Sequence, residues 1–193
     1  MLVFWKQATV LLAVPKTGTT ALETALAPIA DAAIVNPPGL KHCSVSKYRR
    51  SLAPFFERDG RHPMELVAVM REPIEWLGSW YRYRARPALA GRANSTAEID
   101  FDTFVAAYLS EEPPDFARVG SQARFLDGGV DHLFRHDRID DLVRFLESRL
   151  GRAITLPTLN ASPPRAITLA DEMRERLLEE RRADFDLWQS LGG

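Results

Sequence analysis

The sequence predicts an α/β domain with a mainly parallel sheet, and three observations predict it. Short aliphatic runs at 8–14, 32–35, 65–70 and 132–135 alternate with stretches whose apolar residues recur at helical spacing. Turn-forming residues separate them, as in Asn36-Pro37-Pro38-Gly39. The chain of 193 residues is 46% hydrophobic, enough to bury one real core, so a single domain over 1–193 is expected.

Each element follows from local chemistry. The apolar N-terminus is expected to form the first core strand. Lys6 and Gln7 interrupt it, and Pro15-Lys16 follows where a secretory signal would need small residues, so a leader peptide is not expected. Ala8 to Val14 is strand-like, and Ala21 to Ala30 is helical. Ala32 to Val35 is a short second strand, after which Ser44 or Ser46 caps a helix running toward Phe56. Glu65 to Met70 is a buried strand, and Pro73 suits the first turn of the helix carrying Trp76, Leu77, Ser79, Trp80 and Tyr81. Residues 90–96 are expected as a mobile loop over the site, and Asp100 or Asp102 caps a helix through Leu109. His132 to Arg135 is a fourth strand, followed by a helix with Leu142, Phe145, Leu146 and Leu150 that stops at Gly151. Thr168 and Asp171 resemble a capping box opening the charged last helix.

A net charge of -1 argues against a general polyanion-binding surface. Lys47, Arg49 and Arg50, and then Arg82, Arg84, Arg86 and Arg92, form local clusters for which a solvated face is the simpler reading. The second cluster also stands where an anionic acceptor or nucleotide could meet it. The one cysteine, Cys43, excludes an intramolecular disulfide and fits a reducing, cytoplasmic setting. No run has the length of a membrane span.

Val14-Pro15-Lys16-Thr17-Gly18-Thr19-Thr20 joins the first strand to the first helix and is the leading site candidate. The first N–H groups of a helix lack intrahelical partners and carry the positive end of its dipole, so phosphate or sulfate fits there. Gly18 lets the backbone curl, Lys16 adds mobile charge, and the hydroxyls of Thr17, Thr19 and Thr20 offer further hydrogen bonds. An ordinary βα turn with a surface lysine is the other reading of a Lys-Thr-Gly triplet. In the nucleoside triphosphate loop the lysine follows the last glycine, whereas Lys16 precedes the only one here, which disfavours ATP chemistry.

Lys16-Thr17-Gly18-Thr19-Thr20-Ala21-Leu22 resembles the 5′-phosphosulfate loop of sulfotransferases that use 3′-phosphoadenosine 5′-phosphosulfate (PAPS), and is similar to the heparan-type carbohydrate form. That resemblance implies a three-layer α/β/α, P-loop NTPase-like sulfotransferase fold with a mainly parallel central sheet. It implies an enzyme moving a sulfuryl group to a hydroxyl or amine of a carbohydrate or other small acceptor, with adenosine 3′,5′-bisphosphate as product. Family members hold the 3′-phosphate with an arginine in an R-x-P context after a strand and a serine eight positions later, which Arg71, Pro73 and Ser79 match. A guanidinium forks onto phosphate oxygens and a serine adds a hydroxyl. Taken alone, the pair also fits a strand-end arginine and a helix-face serine. Gly120 to Leu126 is similar to the family's G-x-Q-x-x-[FY]-L segment, and Leu159 to Pro163 to its late N-x-S stretch. The R-K-G element of cytosolic members is missing, with Arg165 the candidate substitute.

Sulfuryl transfer needs alignment, charge stabilisation and removal of a proton from the acceptor. Lys16 is assigned charge stabilisation on the bridging oxygen. His42 is the candidate base, because imidazole titrates near neutrality, it follows the second strand, and Lys41-His42 resembles the family's placement of its base. His62, His132 and His136 are expected in surface or structural roles, and Glu72, which could also serve as a base, is expected to orient Arg71. The four histidines and one cysteine lack metal-ligand spacing, so no metal is expected. Trp76 and Trp80 suit core packing more simply than stacking on a base or sugar, and Tyr81 and Tyr83 lie beside them. Expected partners are PAPS and the small acceptor, without nucleic acid or a membrane span; self-association is compatible. The competing functions are a small-metabolite kinase using ATP with magnesium, and a noncatalytic nucleotide-binding protein of the same fold.

Overall fold

The computed structural model describes residues 1–58, 60–157 and 165–192. These fall into two compact units, one from residues 1–71 and 122–157 and the other from 72–121 and 165–192. The strands are β1 (Leu2–Phe4), β2 (Thr9–Leu11), β3 (Ala32–Ala33), β4 (Glu65–Met70) and β5 (His132–Arg135). The helices are α1 (Thr19–Leu26), α2 (Pro38–Lys41), α3 (Val45–Ser51), α4 (Ala53–Phe56), α5 (Pro73–Arg84), α6 (Phe101–Leu109), α7 (Gln122–Phe125), α8 (Ile139–Leu150), α9 (Asp171–Glu180) and α10 (Arg182–Gln189).

The first unit is built on a mixed sheet in the order β3-β1-β2-β4-β5. β2, β4 and β5 run parallel, while β1 lies antiparallel to both β2 and β3. Two expectations are corrected here: the N-terminal run is a hairpin rather than one strand, and the sheet is mixed. The reversal is made by a short helical turn, Trp5–Gln7, and by Ala8 at φ 50, without a glycine or proline to announce it. Long-range bonds hold the turn: Trp5 donates its indole N–H to Phe56 O at 2.8 Å, and His62 donates to Trp5 O at 2.7 Å. The register then sets Leu2 opposite Leu11, Val10 beside Leu66 and Val67 beside His132.

Side chains alternate across a strand, so one set faces each side. Leu2, Phe4, Leu11, Val67 and Val69 share a buried core with Leu22 and Leu26 of α1 and Leu142 and Leu146 of α8. Val3, Val10, Leu66, Ala68 and Met70, on the alternate positions, are also buried. Both faces are therefore covered, as parallel strands require. The Ser44 hydroxyl accepts the Lys47 N–H and is the cap. The helix expected to reach Phe56 breaks at Leu52, because Pro54 has no N–H to donate and crowds the carbonyl one turn back. Gly151 ends α8 in the left-handed conformation, φ 65.

The second unit is helical. Trp76, Leu77 and Tyr81 of α5 pack in one core with Phe104 of α6, Leu177 of α9 and Phe185 of α10. Glu72 is the N-cap of α5, its carboxylate accepting the Glu75 N–H at 2.7 Å, and Asp100 caps α6 through Thr103. The capping box expected at Thr168 and Asp171 does not form. α9 starts with Ala170 at the N-cap, and the Ala170 N–H donates instead to Asp102 at 3.0 Å. Arg84 departs from a solvated face: it is buried, donates to the carbonyls of Asp115 and Arg118, and covers the Trp80 ring.

At the amino ends of β4 and β5, Glu65 accepts hydrogen bonds from Arg149 of α8 and from His132. Arg149 and His132 both rest on Phe145. The bonds from Arg149 and then His132 hold the Glu65 carboxyl below its ordinary value. A folded-state value below the unfolded one stabilises the fold above the ordinary glutamate range, and that contribution is lost as pH falls through the depressed value. Because the Glu65 side chain is 42% exposed, its worth is at most about 1 kcal/mol. Glu65→Gln is expected to lower stability by about 0.5–1 kcal/mol at pH ~7 and by nothing once both states are protonated, measured by urea unfolding from neutral to acid pH.

Candidate functional site

Because β1 opposes both of its neighbours, β3, β2, β4 and β5 all point the same way. Their carboxyl ends share one edge of the sheet, where open α/β sheets place their ligand crevices. The Lys16 loop leaves β2, Arg71 leaves β4, His136 leaves β5, and α2 with His42 follows β3.

The loop after β2 is shaped by two left-handed residues, Lys16 at φ 67 and Gly18 at φ 80. Left-handed residues in such turns bring successive N–H groups to one concave side. For Lys16 the conformation costs roughly 1 kcal/mol, a strain that functional loops tend to retain. Thr17 is 1% exposed and donates its hydroxyl to Val14 O at 2.9 Å, so that hydroxyl closes the loop from inside rather than pointing outward. Gly18 is the N-cap of α1, and no side chain caps this end. Thr19 and Thr20 form the first turn, Thr19 half-buried and Thr20 exposed. A narrow crevice of about 10 Å³ lies beside Thr19, lined mostly by apolar side chains such as Leu2, Leu11, Leu12 and Leu22, with Glu23 at its polar side.

His42 is drawn to the same place. It ends α2, its ring Nδ1 lies 2.7 Å from Ala13 O, and Lys41 Nζ pairs with Glu23 Oε2 of α1 at 2.6 Å. A carbonyl only accepts, so Nδ1 carries the proton and Nε2 keeps the lone pair in the neutral ring. Burial pushes the imidazole below its ordinary value against the pull of the Ala13 bond, and Lys41 adds to the depression.

Arg71 is held by its backbone. Gln122 Oε1 accepts the Arg71 N–H at 2.9 Å, and Gln122 Nε2 donates to Arg71 O at 2.8 Å. Gln122 itself is 1% exposed. Glu72, expected to orient Arg71, spends its carboxylate on the α5 cap.

Ser79 belongs to the helical unit, buried on α5. Beside it, a Cβ on Gly78 would meet the Ile167 methyls at 2.9 and 3.0 Å, so the glycine lets residue 167 lie against the helix. Arg165, the candidate substitute for the absent R-K-G element, is engaged with the helical unit's own backbone. Its guanidinium donates to the carbonyls of Thr96, Ala97 and Ile99 and lies 4.3 Å over the Tyr81 ring. The same bonds pin the end of the 90–96 loop, where Thr96 is fully buried. Trp76 and Trp80 pack edge to face. The Leu159 to Pro163 stretch lies outside the described residues.

His132 and His62 take the structural roles already described. His136 is a residue the sequence did not single out for the site: a Cβ added at Gly18 would lie 3.7 Å from its Nε2. The signal was available, since His136 leaves a parallel strand just as Lys16 and Arg71 do. Among the described residues no three His, Cys, Asp or Glu side chains gather to hold a metal ion, and no helix is long and apolar enough to cross a membrane.

No protein-family model matches the chain, and neither a curated protein nor a solved structure matches it.

Gly18→Ala places a Cβ in the left-handed region beside the His136 ring and is expected to cost about 1–2 kcal/mol, whereas Thr20→Ala on the exposed face stays within about 0.5 kcal/mol. Denaturant unfolding of both variants measures the difference.

Proposed function

We propose that the chain is a PAPS-dependent sulfotransferase acting on a hydroxyl or amine of a carbohydrate or other small acceptor. The observation that carries this is the turn after β2. Lys16 and Gly18 are both left-handed there, and α1 opens without a side-chain cap, which together suit a bound anion at the positive end of the helix. Lys16 and Arg71 follow neighbouring parallel strands, which fits a nucleotide phosphorylated at both ends. Ser79 enters by its eight-residue spacing from Arg71 alone.

Bound PAPS would supply the activated sulfuryl group. The backbone N–H groups of Thr17 to Thr20 would hold its 5′ end, and the Lys16 ammonium would stabilise negative charge there. Arg71 would hold the 3′-phosphate through its forked donors. His42 would take the acceptor's proton at Nε2, because Nδ1–H is committed to Ala13 O and burial keeps the ring neutral at neutral pH.

Calorimetric titration separates the functions. Adenosine 3′,5′-bisphosphate is expected to bind without metal and more tightly than ATP with magnesium. Lys16→Ala and Arg71→Ala are expected to weaken it about tenfold or more. A preference for ATP with magnesium would favour a kinase and sink the sulfotransferase. Binding without sulfation of any acceptor in a broad panel would leave a noncatalytic nucleotide-binding protein.

The base has its own signature. A histidine held below 6.5 is unprotonated at neutral pH, so kcat stays level there and falls as pH drops through that lowered value. His42→Ala is expected to reduce kcat about 10²–10⁴-fold and flatten this acid limb, with nucleotide affinity within about twofold of wild type. An acid limb that persists unchanged in the variant excludes His42 as the base.

A further inference from the structure

The chain leaves the first unit at Arg71 and re-enters it at Gln122, the first residue of α7, with fifty residues, 72–121, of the other unit between them. The two points are bonded to each other. The Gln122 side-chain amide accepts the Arg71 N–H and donates to the Arg71 carbonyl, at 2.9 and 2.8 Å. An amide group with one acceptor and one donor so placed mimics the peptide of a neighbouring strand. It continues the ladder one residue past β4, whose pairing with β5 ends at Met70 and Arg135.

We propose that Gln122 is a positioning residue for recognition of the ligand's second phosphate, acting through Arg71; this rests on the function proposed above. Arg71 lies beyond the last strand pair, where its backbone would otherwise be free to turn. With both backbone groups tied, φ and ψ at Arg71 are set, and so is the direction in which the guanidinium leaves the strand end. A forked donor pairs with a phosphate in two bonds only when its orientation is held, so the loss from a loosened backbone falls on that phosphate. Gln122 is 1% exposed, so its amide is committed to the Arg71 backbone rather than to solvent.

The test compares adenosine 3′,5′-bisphosphate with adenosine 5′-monophosphate by calorimetry or competition in wild type, Gln122→Leu, Gln122→Glu and Arg71→Ala. The quantity read is the ratio of the two affinities, which isolates the 3′-phosphate. Arg71→Ala is expected to reduce that ratio about tenfold or more. Gln122→Leu, which removes both bonds, is expected to lose most of the same ratio, with no further loss in the Arg71→Ala/Gln122→Leu double variant. Gln122→Glu keeps the length and the acceptor but has no donor for Arg71 O, and is expected to fall between wild type and Gln122→Leu, which serves if the leucine variant folds poorly. Hydrogen exchange at the Arg71 amide is expected to quicken in Gln122→Leu. A merely structural role would lower both affinities together and leave the ratio intact. Wild-type chain that does not bind adenosine 3′,5′-bisphosphate overturns the proposed function. Binding with an equal 3′-phosphate ratio in wild type and Gln122→Leu overturns this inference alone.

Discussion

Parallel pairing of β2, β4 and β5 is the constraint from which the site follows. Strands that point the same way discharge their loops at the same edge, so Lys16, Arg71 and His136, far apart in sequence, leave the sheet together. The antiparallel β1 adds to this rather than spoiling it. By reversing twice between β2 and β3, it turns β3 into the common direction and brings α2, with His42, to the same edge. The sheet face packed on α1 and α8 fixes that register, since a slip of one residue would turn Val67 and Val69 out of their core.

Several local rules are broken at this edge. A lysine adopts a left-handed conformation, a helix opens on a glycine without a side-chain cap, and a histidine is partly desolvated against a backbone carbonyl. Side-chain caps open α3, α5 and α6, on Ser44, Glu72 and Asp100, while α8, α9 and α10 share with α1 the lack of one. Ala8 and Arg58 are left-handed as well, so what sets this edge apart is the combination of a strained lysine, a glycine N-cap and a desolvated imidazole. The proposed chemistry is of one sort: N–H groups and cations would hold an anion, and one neutral imidazole would accept a proton.

The alternation of elements was legible in the sequence because it rests on short-range periodicity and on punctuation such as Pro73, Asp100 and Gly151. The hairpin at Trp5–Gln7 was not, because its turn lacks glycine and proline and is held by Phe56 and His62, more than fifty residues away. Long-range partners also explain the rest. The bonds of Arg165 to the carbonyls of Thr96, Ala97 and Ile99, nearly seventy residues earlier, have no mark in the sequence around it. Gln122 stood out as part of a segment, while its bonds to Arg71 belong to the folded chain alone. His136 carries a signal in its place after a parallel strand, while its nearness to Gly18 belongs to the folded chain.

Under the proposed function, the carboxyl edge of the sheet binds a nucleotide phosphorylated at both ends. Amide chemical-shift mapping with adenosine 3′,5′-bisphosphate tests it most directly. The largest changes are predicted at the amides of Lys16 to Thr20, with a second group at Arg71 and Gln122. Saturable shifts confined to other surfaces, or no shifts at millimolar nucleotide, would contradict it.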